Sequence, residues 1–205
     1  MTSREEFLRR VRDALQALPD DDPPAPAPRY QPRHALRITP EQQAQTAALF
    51  TERLEKHGAE VHRIREADIA EAVYEALDTA HADAVIAPDG LPPEWLGTWA
   101  DIDGHRLVAD DAADCNEADA VVSACAGAVA DSGILVFDGG PGQLRDTRPR
   151  ACHVCVVRAE QIDDALPEVL DTLDPQGPIT WFGGPAAPEG DVTHGPRRLV
   201  VLLVE

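Results

Sequence analysis

One stretch, residues 127–157 (GAVADSGILVFDGGPGQLRDTRPRACHVCVV), constrains the chain most. It holds two apolar runs, 134–137 and 152–157, that read as buried strands. A connection rich in glycine and arginine joins them. Elsewhere the chain is acidic, with 37 Asp and Glu against 18 Lys and Arg. Glycines and cations gathered at the end of a core strand mark the place where a small anion would be held.

The net charge of −19 argues against nucleic acid, whose phosphates need Lys and Arg to neutralise them, and against an anionic membrane surface. No apolar run approaches the roughly 18–20 residues of a membrane helix. Residues 1–22 mix acids and arginines with no apolar core, unlike a signal peptide. A cytoplasmic protein with reduced thiols is expected.

Ser3-Arg4-Glu5-Glu6 fits a capping box. Phe7, Val11, Ala14 and Leu18 then form an apolar stripe that Pro19 stops. Residues 1–18 are therefore expected as an N-terminal amphipathic helix, and 19–38 as a Pro/Asp-rich linker. The helix either packs back on its own domain or docks on a neighbouring subunit. Residues 39–205 form the α/β domain. Thr39-Pro40-Glu41-Gln42 supplies an N-cap, a proline at N1 and a capping partner, with Ala47, Phe50 and Leu54 as the inner stripe and Gly58 as terminator. A strand at 59–64, a helix at 66–79 and a strand at 83–87 give the αβαβ alternation of a parallel sheet covered by helices. Strands at 105–108, 120–124, 134–137, 154–157, 179–182 and 199–204 are expected to complete that sheet. A helix at 161–173 carries Pro167, which kinks it or marks a late start. Trp95 and Trp99, four apart, belong to the core.

Several short motifs carry chemistry. Asp131-Ser132-Gly133 sits at a tight corner, where Asp and Ser either hydrogen-bond the turn or hold a ligand hydroxyl and a proton. Gly139-Gly140-Pro141-Gly142 follows a strand directly, and glycines there let backbone N–H groups approach a phosphate or carboxylate. It matches neither the Walker loop nor the dinucleotide fingerprint. Arg145, Arg148 and Arg150 follow, suited to gripping an oxyanion or to pairing with Asp138 and Asp146. Cys152-His153-Val154-Cys155 suggests a metal, but on a strand residues three apart face opposite ways, so no metal site is expected. Gly183-Gly184-Pro185 and His194-Gly195-Pro196 frame a loop before the last strand.

Taken together, GAVADSGILVF, GPGQLR, CHVCVVRAEQI, FGGP and HGPRRLVVLLVE resemble the LUD-domain family, in its lactate utilization protein C (LutC)-like branch, over roughly residues 39–205. The resemblance implies a three-layer α/β/α, Rossmann-like fold of the glucosamine-phosphate isomerase, ribose-phosphate isomerase and CoA-transferase type. It implies a subunit of bacterial oxidation of L-lactate to pyruvate, with no cofactor on this chain and iron–sulfur clusters on partner proteins. By position it points to Ser132, Gly133, Gly140, Gly142, Gln143, Arg145, Gly183, Gly184 and Gly195 as ligand-binding residues, and to Asp131 and His194 as candidates for proton transfer. The family's corner acid is usually Glu and its neighbour Thr, where this chain has Asp131 and Ser132. Two alternatives stand beside this reading. One is an independent enzyme or binding protein of the same fold for a small phosphorylated or carboxylate ligand. The other is a non-catalytic assembly subunit. Asp131, Ser132, the Gly139–Gln143 loop, Arg145 and His194 are expected to gather at one rim of the sheet.

Overall fold

The computed structural model describes residues 39–110, 117–143, 151–173, 178–183 and 196–205. The chain divides into two units, Met1–Pro32 and Arg33–Glu205, and every described residue lies in the second. The expected N-terminal helix and its linker fall outside the described residues.

Helix α1 (Pro40–Lys56) starts as its sequence dictates. The Thr39 hydroxyl accepts from the Gln42 N–H and the Gln42 side chain accepts from the Thr39 N–H, at 3.2 and 2.9 Å. Ala47, Phe50 and Leu54 are buried along one face. Strand β1 (Glu60–Ile64), a 3-10 turn (Glu66–Asp68), helix α2 (Ile69–Thr79) and strand β2 (Ala84–Ile86) follow in the expected alternation. A 3-10 turn (Pro93–Trp95) and the short helix α3 (Gly97–Ala100) lead to β3 (Arg106–Val108), and both tryptophans are buried as expected.

The strands β4 (Ala120–Ala124), β7 (Cys152–Arg158) and β10 (Arg198–Val204) complete a six-stranded, wholly parallel sheet of order β1-β10-β7-β4-β2-β3. Alternation along β10 shows how its two faces are used. Val200, Leu202 and Val204 meet Ile69, Val73, Leu77 and Trp99, while Leu199, Val201 and Leu203 meet Phe50 and Leu54. A strand apolar at every position after Arg198 is thus buried on both sides, between α2 with α3 on one face and α1 on the other.

The expectation of a single sheet is corrected at two runs. Residues 134–137 and 179–182 do not join the parallel sheet. They become β6 (Ile134–Phe137) and β9 (Thr180–Phe182) of a second, four-stranded sheet, with β5 (Gly127–Val129) and β8 (Ile162–Asp163), in the order β8-β5-β6-β9. β6 runs antiparallel to both β5 and β9. The Asp131-Ser132-Gly133 corner is the cause. Gly133 takes φ +67, its N–H bonds the Val129 carbonyl at 2.9 Å, and the chain turns back as a hairpin. Leu135 and Phe137 of this small sheet face the core shared with α1, so it adds to α1's layer. Val129 and Val136 face outward, under Val169 and Leu173. The expected helix 161–173 shrinks to α4 (Leu166–Leu170), with Pro167 in its first turn, so the proline marks a late start.

Candidate functional site

The sheet's connections determine where its ligand crevice lies. From β1 through β2 to β3 the chain crosses one face, by α2 and then α3. From β4 through β7 to β10 it crosses the other face in the opposite direction. The reversal falls between β2 and β4, which are neighbours, and in open α/β sheets ligands bind at the carboxyl ends of the strands at such a point.

The glycine loop after β6 sits on that spot. The Gly142 N–H donates to the Asp89 carbonyl after β2 at 2.7 Å, and the Gly142 carbonyl accepts from the Ala124 N–H at the end of β4 at 2.8 Å. Gly90 lies so near Pro141 that an added Cβ would come within 2.7 Å of the proline Cβ. The loop is also closed on itself. Gly140 N–H donates to Asp138 Oδ1, Gln143 N–H to the Gly140 carbonyl, and Asp138 N–H to Gln143 Oε1, at 2.9, 3.1 and 2.8 Å. Gln143 is 8% exposed and acts as an internal clamp. Four amides of the loop are therefore engaged within the protein, so the loop's visible work is to tie the small sheet onto the rim at the crevice. That differs from an open cradle of N–H groups aimed at an anion.

The corner lies elsewhere. β6 separates it from the glycine loop by four residues, about 13 Å of strand. Gly133 packs on the α1 backbone, where an added Cβ would lie 2.8 Å from Arg53 Cβ and 3.0 Å from Leu54 N. Gly183, just past β9, lies against Gly133, its added Cβ meeting the Gly133 carbonyl at 3.2 Å. The Ala130 and Asp131 amides donate to the Asp163 and Asp164 carbonyls, and Thr46 on α1 donates to Asp164 Oδ1 at 2.8 Å. Asp131 is exposed and Ser132 half-buried. The expected ligand-binding residues thus form two groups at opposite ends of β6. Gly140, Gly142 and Gln143 make one, and Asp131, Ser132, Gly133 and Gly183 the other. Arg145, Gly184, His194 and Gly195, with Arg148 and Arg150, lie outside the described residues.

A buried polar group joins the two sheets. Ser123 Oγ and His153 Nε2 share a hydrogen bond of 2.7 Å, and both residues are almost fully buried. The His153 ring lies 5.8 Å from that of Phe137 and 5.4 Å from that of Phe182. Burial alone pushes the imidazole down to about 3, so it is neutral at physiological pH. Cys155 faces the same side and hydrogen-bonds Ser123 and Cys125; burial holds its thiol well above the ordinary range. Cys152 faces the other side, its thiol pushed up to about 11 by burial. The two sulfurs of the Cys-His-Val-Cys run therefore diverge as strand geometry requires, and both thiols stay protonated and unreactive. The sequence carried a sign of this group in one polar residue within each of two apolar strands, Ser123 in AVVSA and His153 in CHVCVV.

Cations along the strand ends are matched by acids. Arg198 grips Glu60 through two bonds of 2.7 Å, Arg158 pairs with Glu66, and Arg65 with Asp68. These hydrogen bonds hold the three carboxyls below their usual range. Arg53 is different. Its Nε is buried with no hydrogen-bond partner, beside the corner. The sequence reading missed it because it lies next to Leu54 on α1 and carries no motif.

No family model matches the chain. The chain is similar to lactate utilization protein C of Deinococcus radiodurans, 29% identical over 214 residues that span 97% of this chain and 94% of that protein. In three dimensions it is similar to a DUF162 family protein from Deinococcus radiodurans, solved by crystallography. The TM-score is 0.65 and the identity 29%, covering 80% of this chain and 98% of that one. DUF162 is the LUD domain, so the resemblance drawn from short motifs extends across most of the chain.

Proposed function

We propose that this chain, resembling a lactate utilization protein C over nearly its whole length, is a subunit of the machinery that oxidises L-lactate to pyruvate. The observation that carries the reading is the extent of the alignment, which leaves little of either protein unmatched. Oxidation of lactate releases two electrons and two protons, which need an acceptor. We place that acceptor on iron–sulfur partner proteins, and the whole system in the cytoplasm. No helix among the described residues is long and apolar enough to cross a membrane.

This chain's part is to present a small carboxylate. The corner end of the small sheet suits that task better than the glycine loop, because the loop's amides are engaged internally. At the corner Ser132 offers a hydroxyl and Asp131 an exposed carboxylate able to take a proton, on a hairpin that Gly133 and Gly183 hold in close packing. The same engaged amides weigh against the alternative of a sugar-phosphate enzyme. The test is genetic and biochemical together. Deleting the gene should abolish growth on L-lactate as sole carbon source, and the tagged chain should co-purify with proteins containing iron–sulfur clusters. Normal growth on lactate after deletion would refute the proposal.

A further inference from the structure

We propose that the outer edge of β1, with the groove beside it on the α2 face, docks an extended basic segment of a partner protein as a further strand. Val61 and Arg63 supply the ladder. In a parallel strand the N–H and C=O of one residue point to the same side, and the side alternates from residue to residue. The Ile64 carbonyl accepts from the Glu205 N–H at 3.0 Å, so Glu60, His62 and Ile64 turn their backbone groups toward β10. Those of Val61 and Arg63 face outward, and among the described residues nothing pairs with them. Beside this edge lies a groove of about 540 Å³ between β1 and α2. Val200 and Leu202 form its floor, and Ala72, Glu75, Ala76 and Thr79 of α2, spaced to share one helix face, form its wall. Glu60 and His62, which share that side of the sheet with Val200 and Leu202, are exposed.

Sheet edges are ordinarily guarded by charges that keep a second strand away. The charges of β1 are instead drawn back along its own sheet. Arg198 grips Glu60 through two bonds of 2.7 Å, and Arg63 reaches Glu205 at 3.3 Å. An open ladder beside a groove is how an added strand is recognised: backbone bonds hold it, and the groove selects its alternate side chains. The wall of the groove determines their charge. α2 exposes Glu71, Glu75 and Asp78 and carries no Lys or Arg. These three carboxylates make no ion pair among the described residues. A strand laid along β1 points every second side chain over the groove. Lys or Arg there spans the gap to the α2 carboxylates and lays its aliphatic stem over the apolar floor. The intervening side chains fall beside half-buried Val61, at the margin of the core under α1, where branched apolar residues fit.

The test is titration of the full chain with a terminally blocked peptide of alternating Lys and Val, followed by calorimetry and by amide hydrogen exchange. Two control peptides carry Glu in place of Lys, or N-methyl groups on alternate backbone amides. The Lys-Val peptide should bind saturably and slow exchange at the Val61 and Arg63 amides. Both controls should bind about tenfold or more weakly, the first through repulsion and the second through loss of the ladder. The triple variant Glu71→Gln, Glu75→Gln, Asp78→Asn alters exposed side chains alone, so it should melt as wild type does. It should bind the Lys-Val peptide about tenfold more weakly. Absence of saturable binding overturns the inference, as does binding that the triple variant leaves unchanged. General attraction of a cation to an acidic protein would survive N-methylation and leave Val61 and Arg63 exchanging as before, and that result overturns it too. Protection of the same two amides in a concentration-dependent dimer without peptide would assign the edge to a second copy of this chain, and the inference would fall.

Discussion

At the scale of single residues, His153 sets a pH limit on the fold. Its folded pKa lies near 3 and its unfolded value at 6.5, so folding requires the neutral ring. The native state is fully favoured above 6.5 and loses that advantage as pH falls from there toward 3. Between pH 7 and pH 5 the loss from this one group is about 2 kcal/mol, since each unit is worth about 1.4. Urea midpoints measured at both pH values should show the drop, and His153→Gln should largely abolish the difference. The carboxyls held low by Arg198, Arg158 and Arg65 give up their stabilisation only at lower pH, below about 4.5, so they do not confuse this window. Glycines separate strain from crowding in the same way. Gly104 has φ +96 and open space around its missing Cβ, so Gly104→Ala should cost only the left-handed strain, about 1–2 kcal/mol. Gly133 adds a collision with helix backbone that cannot move aside. Gly133→Ala should therefore cost clearly more, and chemical denaturation of the two variants side by side measures the difference.

At the scale of elements, the ends of helices and strands were the most legible part of the sequence. Thr39 and Gln42 close the capping box that their spacing implied, and Thr39→Ala should lower stability by about 1 kcal/mol in thermal melts. Pro167 marks a helix start, one of the two outcomes its position allowed. What the residues could not reveal was which strand pairs with which. An apolar run such as ILVF looks the same in a parallel or an antiparallel setting, because burial on both faces erases alternation. The small sheet follows instead from the turn at Gly133, whose positive φ is a property of three residues and not of the runs beside it. The site was legible as residue types but not as a place. Short motifs adjacent in sequence, the corner and the glycine loop, lie at opposite ends of one strand. Arg53, which does reach the corner, lies far before it in the chain.

At the scale of the whole molecule, protection is graded across the parallel sheet. β7 and β10 are hydrogen-bonded on both edges and covered on both faces, whereas β1 and β3 are edges with exposed residues. Hydrogen exchange should be slowest in Val154–Val157 and Val200–Leu203 and fastest in β1, β3 and β9. Equal protection across the sheet would contradict this topology.

β10 also imposes an order on assembly. It lies between β1 and β7, pairing Glu60 with Val200 on one side and Cys152 with Arg198 on the other. During synthesis β1 therefore emerges from the ribosome long before its partner in the sheet exists. Until β10 arrives, β1 and β7 each hold an unpaired ladder of backbone groups toward a vacant lane between them. The nascent chain must be kept from filling that lane with another molecule's strand, because an open sheet edge is a template for pairing between chains.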